Sequence, residues 1–255
     1  MFKIATWNVN SIKVRLPHVL DWLKKHKPDV LALQETKMTD ELFPKAAIEK
    51  SGYHVAYSGQ KTYNGVAIIS RQPIKDIVTD LPKLDDPQRR LLGATINKAR
   101  ILNVYVPNGE SVDSTKYQYK LDWLKKLRDY VKQQLNTYSQ CIILGDFNIA
   151  PEDRDVYDPA AWEDHVLVSE AERKALREIL KLGFCDTFRL FDQTSGGFSW
   201  WDYRHFAFRR NLGLRLDLIL ANKTLADKCK RCTVDKTPRS LERPSDHTPV
   251  VAEFE

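Results

Sequence analysis

The sequence predicts a layered α/β fold with mixed sheets. Three observations carry this reading: short apolar runs of β type recur along the chain, amphipathic helical patterns separate some of them, and neighbouring runs such as 91–96 and 101–106 read as a hairpin. In chain order, the first run covers residues 3–9. A helix follows, because Leu16, Val19, Leu20 and Leu23 fall at i, i+3, i+4 and i+7. Runs at 30–34 and 66–70 come next, then the 91–96/101–106 pair. A longer helix carries Tyr117, Leu121, Leu124, Val131 and Leu135 on one face, and a strand at 141–144 succeeds it. Ser169 and Glu172 form a capping-box pattern that starts a third helix, with Ala171, Ala175, Ile179 and Leu182 at helical spacing. Runs at 214–220 and 250–254 close the chain.

At 255 residues the chain admits one large domain or two tightly fused halves. No low-complexity linker or fixed-period repeat divides it, so a single domain over 1–255 is expected. Each half holds a strand that runs into an Asn-containing turn, ATWNVNS early and ILGDFNIA late, and two packed sheets would bring those turns together. An apolar fraction of 42% and a charged fraction of 29% are those of an ordinary folded protein. There is no run of bilayer length and no signal-peptide core after Met1, which predicts a cytoplasmic protein with no membrane partner, nucleoid-associated if the source is bacterial. Four scattered cysteines fit a reducing compartment. The Cys229/Cys232 pair lacks the further ligands of a zinc site and reads as structurally incidental. A net charge of +6 and a pI near 9.0 permit a polyanionic partner.

The polar residues at strand ends are of one chemical kind: Asn8 and Asn10, Glu35, Asp146 and Asn148, Asp217, and Asp246 with His247. Oxygen ligands of this type suit Mg²⁺ better than zinc. Asp146 and Asn148 are two apart, so in extended backbone both would point the same way. Each residue also has a plain reading: an acid or amide past a strand commonly caps its own turn, and Glu35 could be a solvated residue. Asp217 resists that reading. It lies inside LRLDLIL, where Leu214, Leu216, Leu218 and Leu220 alternate on one face, and a carboxylate within a strand core costs free energy unless paired or functional.

The segments TWNVNS, LALQETK, NVYVPNGES, LGDFNIAP, FSWWDYR, GLRLDLIL and PSDHTPV resemble, in order, the sequence blocks of the exonuclease III and abasic-site endonuclease branch of the endonuclease–exonuclease–phosphatase superfamily. That resemblance implies a four-layered α/β sandwich with the active site at one end of two facing sheets. It implies that Glu35 ligates Mg²⁺, with Mn²⁺ able to substitute and Asn8 nearby; Asp146, Asn148, Asp246 and His247 complete the metal group. Asp146 would orient or deprotonate water, Asn148 and Asn108 would contact phosphate, and Tyr105 and Asp217 would sit beside them. His247 would polarise a phosphate oxygen while Asp246 fixes its tautomer. The base remains open between Asp146 and an ionised Tyr105, as does the choice between one metal and two.

By the same resemblance, Trp200, Leu214 and Leu216 line a small pocket for a flipped-out sugar lacking its base, and Tyr63, Tyr203 and Lys13 touch the DNA backbone. The implied activity is hydrolysis of the DNA backbone 5′ to an abasic site, with 3′→5′ exonuclease and 3′-phosphatase activities, on double-stranded DNA by a monomer. Hydrolases of lipid, inositol phosphate or RNA share the central residues, and a non-catalytic DNA-binding relative is a further alternative. Arg89 and Arg90 stand next to three acids that would mute their pull on phosphate, and they are not counted among the site residues. Asn10-Ser11 departs from the Asp-Gly or Asn-Gly of many relatives, so the geometry near Asn8 is expected to differ.

Overall fold

The computed structural model describes residues 1–82, 84–191 and 193–255. Its strands are β1 (Phe2–Asn8), β2 (Val30–Gln34), β3 (His54–Ser58), β4 (Val66–Ser70), β5 (Lys75–Val78), β6 (Leu91–Ile96), β7 (Ala99–Tyr105), β8 (Cys141–Asp146), β9 (Phe184–Asp186), β10 (Asp217–Asn222), β11 (Cys229–Val234) and β12 (Val250–Phe254). The helices are α1 (Ile12–His26), α2 (Lys45–Lys50), α3 (Thr115–Leu135), α4 (Pro159–Trp162), α5 (Glu170–Leu180) and α6 (Lys223–Ala226).

The strands form two six-stranded sheets, ordered β11-β12-β1-β2-β4-β3 and β5-β6-β7-β8-β10-β9. Each has one parallel pair at its centre, β1 with β2 and β7 with β8, joined by crossover helices α1 and α3. Every other pairing is antiparallel. The two orders correspond strand for strand, so β7 is the counterpart of β1 and β8 of β2. The sequence likeness between the turns after β1 and β8 therefore joins strands that are not topological counterparts, although the turns do meet in space.

Strand periodicity sorts the layers. In β1, Ile4 faces the other sheet, whereas Ala5 and Trp7 pack with Val19, Trp22 and Leu23 of α1. In β8, Ile142 and Leu144 face inward, while Cys141 and Ile143 meet Leu124, Leu127 and Val131 of α3 and Leu176 and Ile179 of α5. Helix, sheet, sheet, helix is the resulting four-layered sandwich. Local chemistry starts its helices: Ser114 Oγ accepts from Tyr117 N at 3.0 Å, and Ser169 and Glu172 form the reciprocal capping box expected of them.

The expected 141–144 strand extends to Asp146, and the expected 214–220 strand begins only at Asp217. Leu214 instead makes isolated bridges to Val156 and Trp200. Between them Arg215 turns to a buried ion pair, donating from Nε and Nη2 to Asp155 at 2.6 and 3.1 Å.

Candidate active site

The inward faces of the central strands change character along their length. Ile4, Val30, Ile101 and Ile142 form the apolar middle. One layer further, Gln34 Nε2 donates to Thr6 Oγ1 at 2.9 Å and to Asn103 Oδ1 at 2.7 Å, and Asn103 Nδ2 donates to the carbonyls of Leu33 and Ala67 at 2.9 Å. Two residues beyond, in the same parity, stand Asn8, Tyr105 and Asp146. Register finishes the row: Asp146 faces Tyr105 on one side and Asp217 on the other.

The two sheets are joined by Asn8, whose Nδ2 donates to Glu35 Oε1 and Asp146 Oδ2, each at 2.8 Å. Glu35 leaves β2 with a positive φ of 52° and is paired through Oε2 with Lys37 at 2.8 Å. Asp146 Oδ1 accepts from Asn148 N at 2.9 Å, and Asn148 Nδ2 donates to Val106 O at 3.0 Å and to Asp146 Oδ2 at 3.3 Å. Asn148 has a φ of 48°, so the extended-backbone argument for its alignment with Asp146 fails. A tight Asx turn brings the pair together instead, so Asp146 caps its own turn while facing Asn8 and His247. Gly145 makes the turn possible: with φ at 144°, a Cβ there would lie 1.9 Å from Val104 O.

His247 Nδ1 is 2.8 Å from Asp217 Oδ2, and its Nε2 is 3.7 Å from Asp146 Oδ2. The expected partner, Asp246, is not the one that fixes the ring. Asp246 points the other way, accepting from Trp200 Nε1 at 3.0 Å and Asn10 Nδ2 at 2.9 Å. Ser199 Oγ donates to Asp217 Oδ2 at 2.6 Å, while Asp217 Oδ1 is buried without a partner among the described residues.

Burial works against a charged His247, but the carboxylates of Asp217 and Asp146 outweigh it and raise its pKa to about 10. Asp146 is raised to about 7, first by burial and then by Asp217 and Glu35, with His247 and the Asn8 bond opposing. Tyr105 is pushed well above its ordinary value by burial and by the Glu35 and Asp146 carboxylates. Its phenol is thus protonated.

Glu35, Asp146 and His247 each present a ligand atom within 4.8 Å of the others, and they form the metal-capable group among the described residues. The donors are mostly carboxylate oxygens, a set that suits a hard divalent cation, and the unpaired Asp217 oxygen marks surplus negative charge behind them.

The rim is less uniform. Asn108 is exposed and its Nδ2 donates to Asn148 Oδ1 at 3.3 Å. Tyr63, 67% exposed, shares a cleft of about 680 Å³ with Glu35, Lys37, Arg90, Tyr105 and Asn108. Tyr203 OH contacts Asn10, Arg15 and Pro244. Lys13 is exposed on the first turn of α1 and makes no hydrogen bond to the site. Leu214 and Leu216 are 0% and 1% exposed and packed with Ala150, Val156, Leu167 and Val168. They form a closed floor beneath Trp200 rather than the walls of an open pocket, because the 156–168 segment covers them.

Arg90, set aside in the sequence reading, lines the cleft beside Tyr105. Its guanidinium lies 4.8 Å from the Tyr105 ring centroid and donates to Tyr105 O and Gln88 Oε1. Of the nearby acids, Asp80 is taken up by Arg89 and Asp86 by Tyr119. Lys37 was also overlooked; its spacing of two from Glu35 in QETK was the available signal. Ser199 and Lys120 carried none. Asn10 and Ser11 hold φ of 42° and 94°, so Ser11 occupies a glycine-like conformation. Cys229 and Cys232 are buried and burial raises both thiols, which makes them poor nucleophiles and ligands.

Residues 5–247 match the model of the Endonuclease/Exonuclease/phosphatase family. The chain is 35% identical over 266 residues to Exodeoxyribonuclease III of Haemophilus influenzae, covering 99% of both. Among solved structures it superimposes on a 3′ phosphatase from Neisseria bound to a product DNA hairpin, with a TM-score of 0.99, 46% identity and full coverage of both chains. It superimposes equally completely on an AP endonuclease from Archaeoglobus fulgidus, with a TM-score of 0.97 and 44% identity. A sandwich whose two sheets meet in one row of acids, and full-length likeness in sequence and shape, agree: the chain belongs to the endonuclease/exonuclease/phosphatase family, in its exonuclease III branch.

Proposed function

We propose that the chain is a DNA-repair phosphodiesterase that cuts the backbone 5′ to an abasic site and trims or dephosphorylates 3′ ends, acting as a cytoplasmic monomer on double-stranded DNA. The observation that carries this reading is the convergence of Asn8 and Glu35 from one sheet with Tyr105, Asp146 and Asp217 from the other and His247 between them. The net charge of +6 and the Tyr63 and Arg90 cleft suit a phosphate-rich substrate.

Mg²⁺, with Mn²⁺ as a substitute, would be held by Glu35 and Asp146, with Asn8, Asn148 and His247 beside them, whereas Asp246 is taken up by Trp200 and Asn10. When bound, such a cation supplies Lewis-acid stabilisation of charge on the phosphate and the leaving oxygen. Asp146 accepts the proton of the attacking water; its raised pKa, about 7, is suited to that task, whereas the phenol of Tyr105 is held protonated and serves as a donor. His247, cationic through Asp217 and Asp146, neutralises a phosphate oxygen, and the amide of Asn108, with one N–H on Asn148, donates its other to a second.

The test is a comparison of rates on an abasic duplex, a 3′-recessed duplex and a 3′-phosphate duplex, with Mg²⁺ and with chelator. Cleavage of at least one in Mg²⁺ alone supports the reading. Cleavage of lipid, inositol phosphate or RNA substrates and of none of the DNAs refutes it, and metal-independent DNA binding without cleavage identifies a non-catalytic relative.

A further inference from the structure

Lys120 lies on α3, outside every motif described above, and its ammonium is 0% exposed. The stem passes Gly109, which has φ at 98° and where a Cβ would come within 3.2 Å of Lys120 Cδ and 3.0 Å of Val166 Cγ2. Nζ ends directly behind the site. It donates to Asn108 O at 3.0 Å, to Asn148 O at 2.6 Å and to Glu172 Oε1. An ammonium has three N–H groups, and here all three are used. Glu172 is fixed in turn by Leu167 N at 3.0 Å, Ser169 N at 3.0 Å and Ser169 Oγ at 2.6 Å.

The two carbonyls belong to the two asparagines whose side chains face the site. Asn148 Nδ2 reaches Asp146 Oδ2, and Asn108 Nδ2 reaches Asn148 Oδ1. A buried ion pair seldom stabilises a fold more than apolar packing of the same volume would. An apolar side chain, however, cannot hold two peptide planes from different loops.

We propose that Lys120 is a positioning residue, a buried three-way clamp that fixes the peptides of Asn108 and Asn148 and thereby sets the side-chain hydrogen-bond chain from Asn108 through Asn148 to Asp146. The clamp couples the exits of β7 and β8 to the N-terminus of α5. This inference rests on the phosphodiesterase reading of the site.

The experiment measures kcat and KM for Lys120→Met, Lys120→Arg and Glu172→Gln on an abasic duplex and on bis(4-nitrophenyl) phosphate in Mg²⁺, with thermal unfolding of each variant. Lys120→Met should lose about 100-fold in kcat with KM changed by less than about 3-fold, and Lys120→Arg should recover to within about 10-fold of wild type. A folded Lys120→Met with kcat within about 3-fold of wild type overturns the proposal, since a purely structural lysine would lower only the unfolding temperature. Should Lys120→Met not fold, Glu172→Gln decides: a loss of about 10-fold in kcat supports the clamp and an unchanged kcat overturns it. Hydrolysis of the dye diester without cleavage of DNA would refute the DNA reading alone, because the variants are still compared on the dye.

Discussion

The two sheets share a strand order, yet their contributions to the site differ in kind. The first sheet ends in a buried Asn8 and in Glu35, which lines the cleft and is balanced by Lys37 at 2.8 Å. The second ends in Asp146 and Asp217, both buried, and among the described residues one oxygen of Asp217 has no partner and the ion pairs of both acids are with His247. Equal architecture therefore supports unequal electrostatics. The first sheet offers a carboxylate already neutralised and free to exchange partners; the second stores an uncompensated negative charge that a cation or a proton must answer.

Substitutions in the second sheet should therefore have the largest effects. Asp146→Asn should lower kcat by about 10³-fold or more while leaving a folded protein, measured by single-turnover cleavage of an abasic duplex. Activity within tenfold of wild type would return the base to Tyr105. Asp217→Asn removes the charge that holds His247 and should cost about 100-fold in kcat; an unaltered rate would mean that His247 needs no anchor. On the first sheet, Glu35→Gln should chiefly raise the Mg²⁺ concentration required for half-maximal rate, and an unchanged metal dependence would remove Glu35 from the ligand set.

Stability against pH sharpens the same contrast in metal-free protein. His247 is raised from 6.5 to about 10, so its contribution is complete below pH 6.5 and is lost as pH rises through about 10. Asp146, raised from 3.8 to about 7, has the same sign: its protonated form favours the fold, and that contribution fades as pH rises through about 7. Melting temperature should fall across this window, and His247→Gln should flatten the alkaline part of the slope. The smallest effect belongs to the first sheet's exit turn. Ser11→Gly relieves the positive φ of 94° and should stabilise by about 1 kcal/mol in chemical denaturation, whereas a loss would show that Ser11 carries no strain.

The legibility of each feature followed from how local its cause is. Runs 30–34, 66–70 and 250–254 coincide with their strands, and the Ser169/Glu172 box with its helix, because alternation and capping are written within a few residues. Asp217 was readable since a carboxylate inside an apolar strand has no packing reason to be there, and Asn8, Glu35 and Asp146 since acids and amides gather at the strand ends. The setting of Arg90 was out of reach, because Tyr119, which takes up Asp86, lies 33 positions away. The closed packing of Leu214 and Leu216 was equally out of reach, being imposed by the 156–168 segment.

By itself, then, the sequence determined the layered α/β class, the placing of Asp217 within a strand and the oxygen-rich chemistry at the strand ends, all consequences of period-two strands and residue type. Only the tertiary structure decided that Asp217 rather than Asp246 holds His247, that Asn8 bridges the two sheets, and that Lys120 reaches the site from behind. Those are contacts between residues 27 to 138 positions apart, and which pairs meet is set by sheet order and register rather than by neighbouring residues.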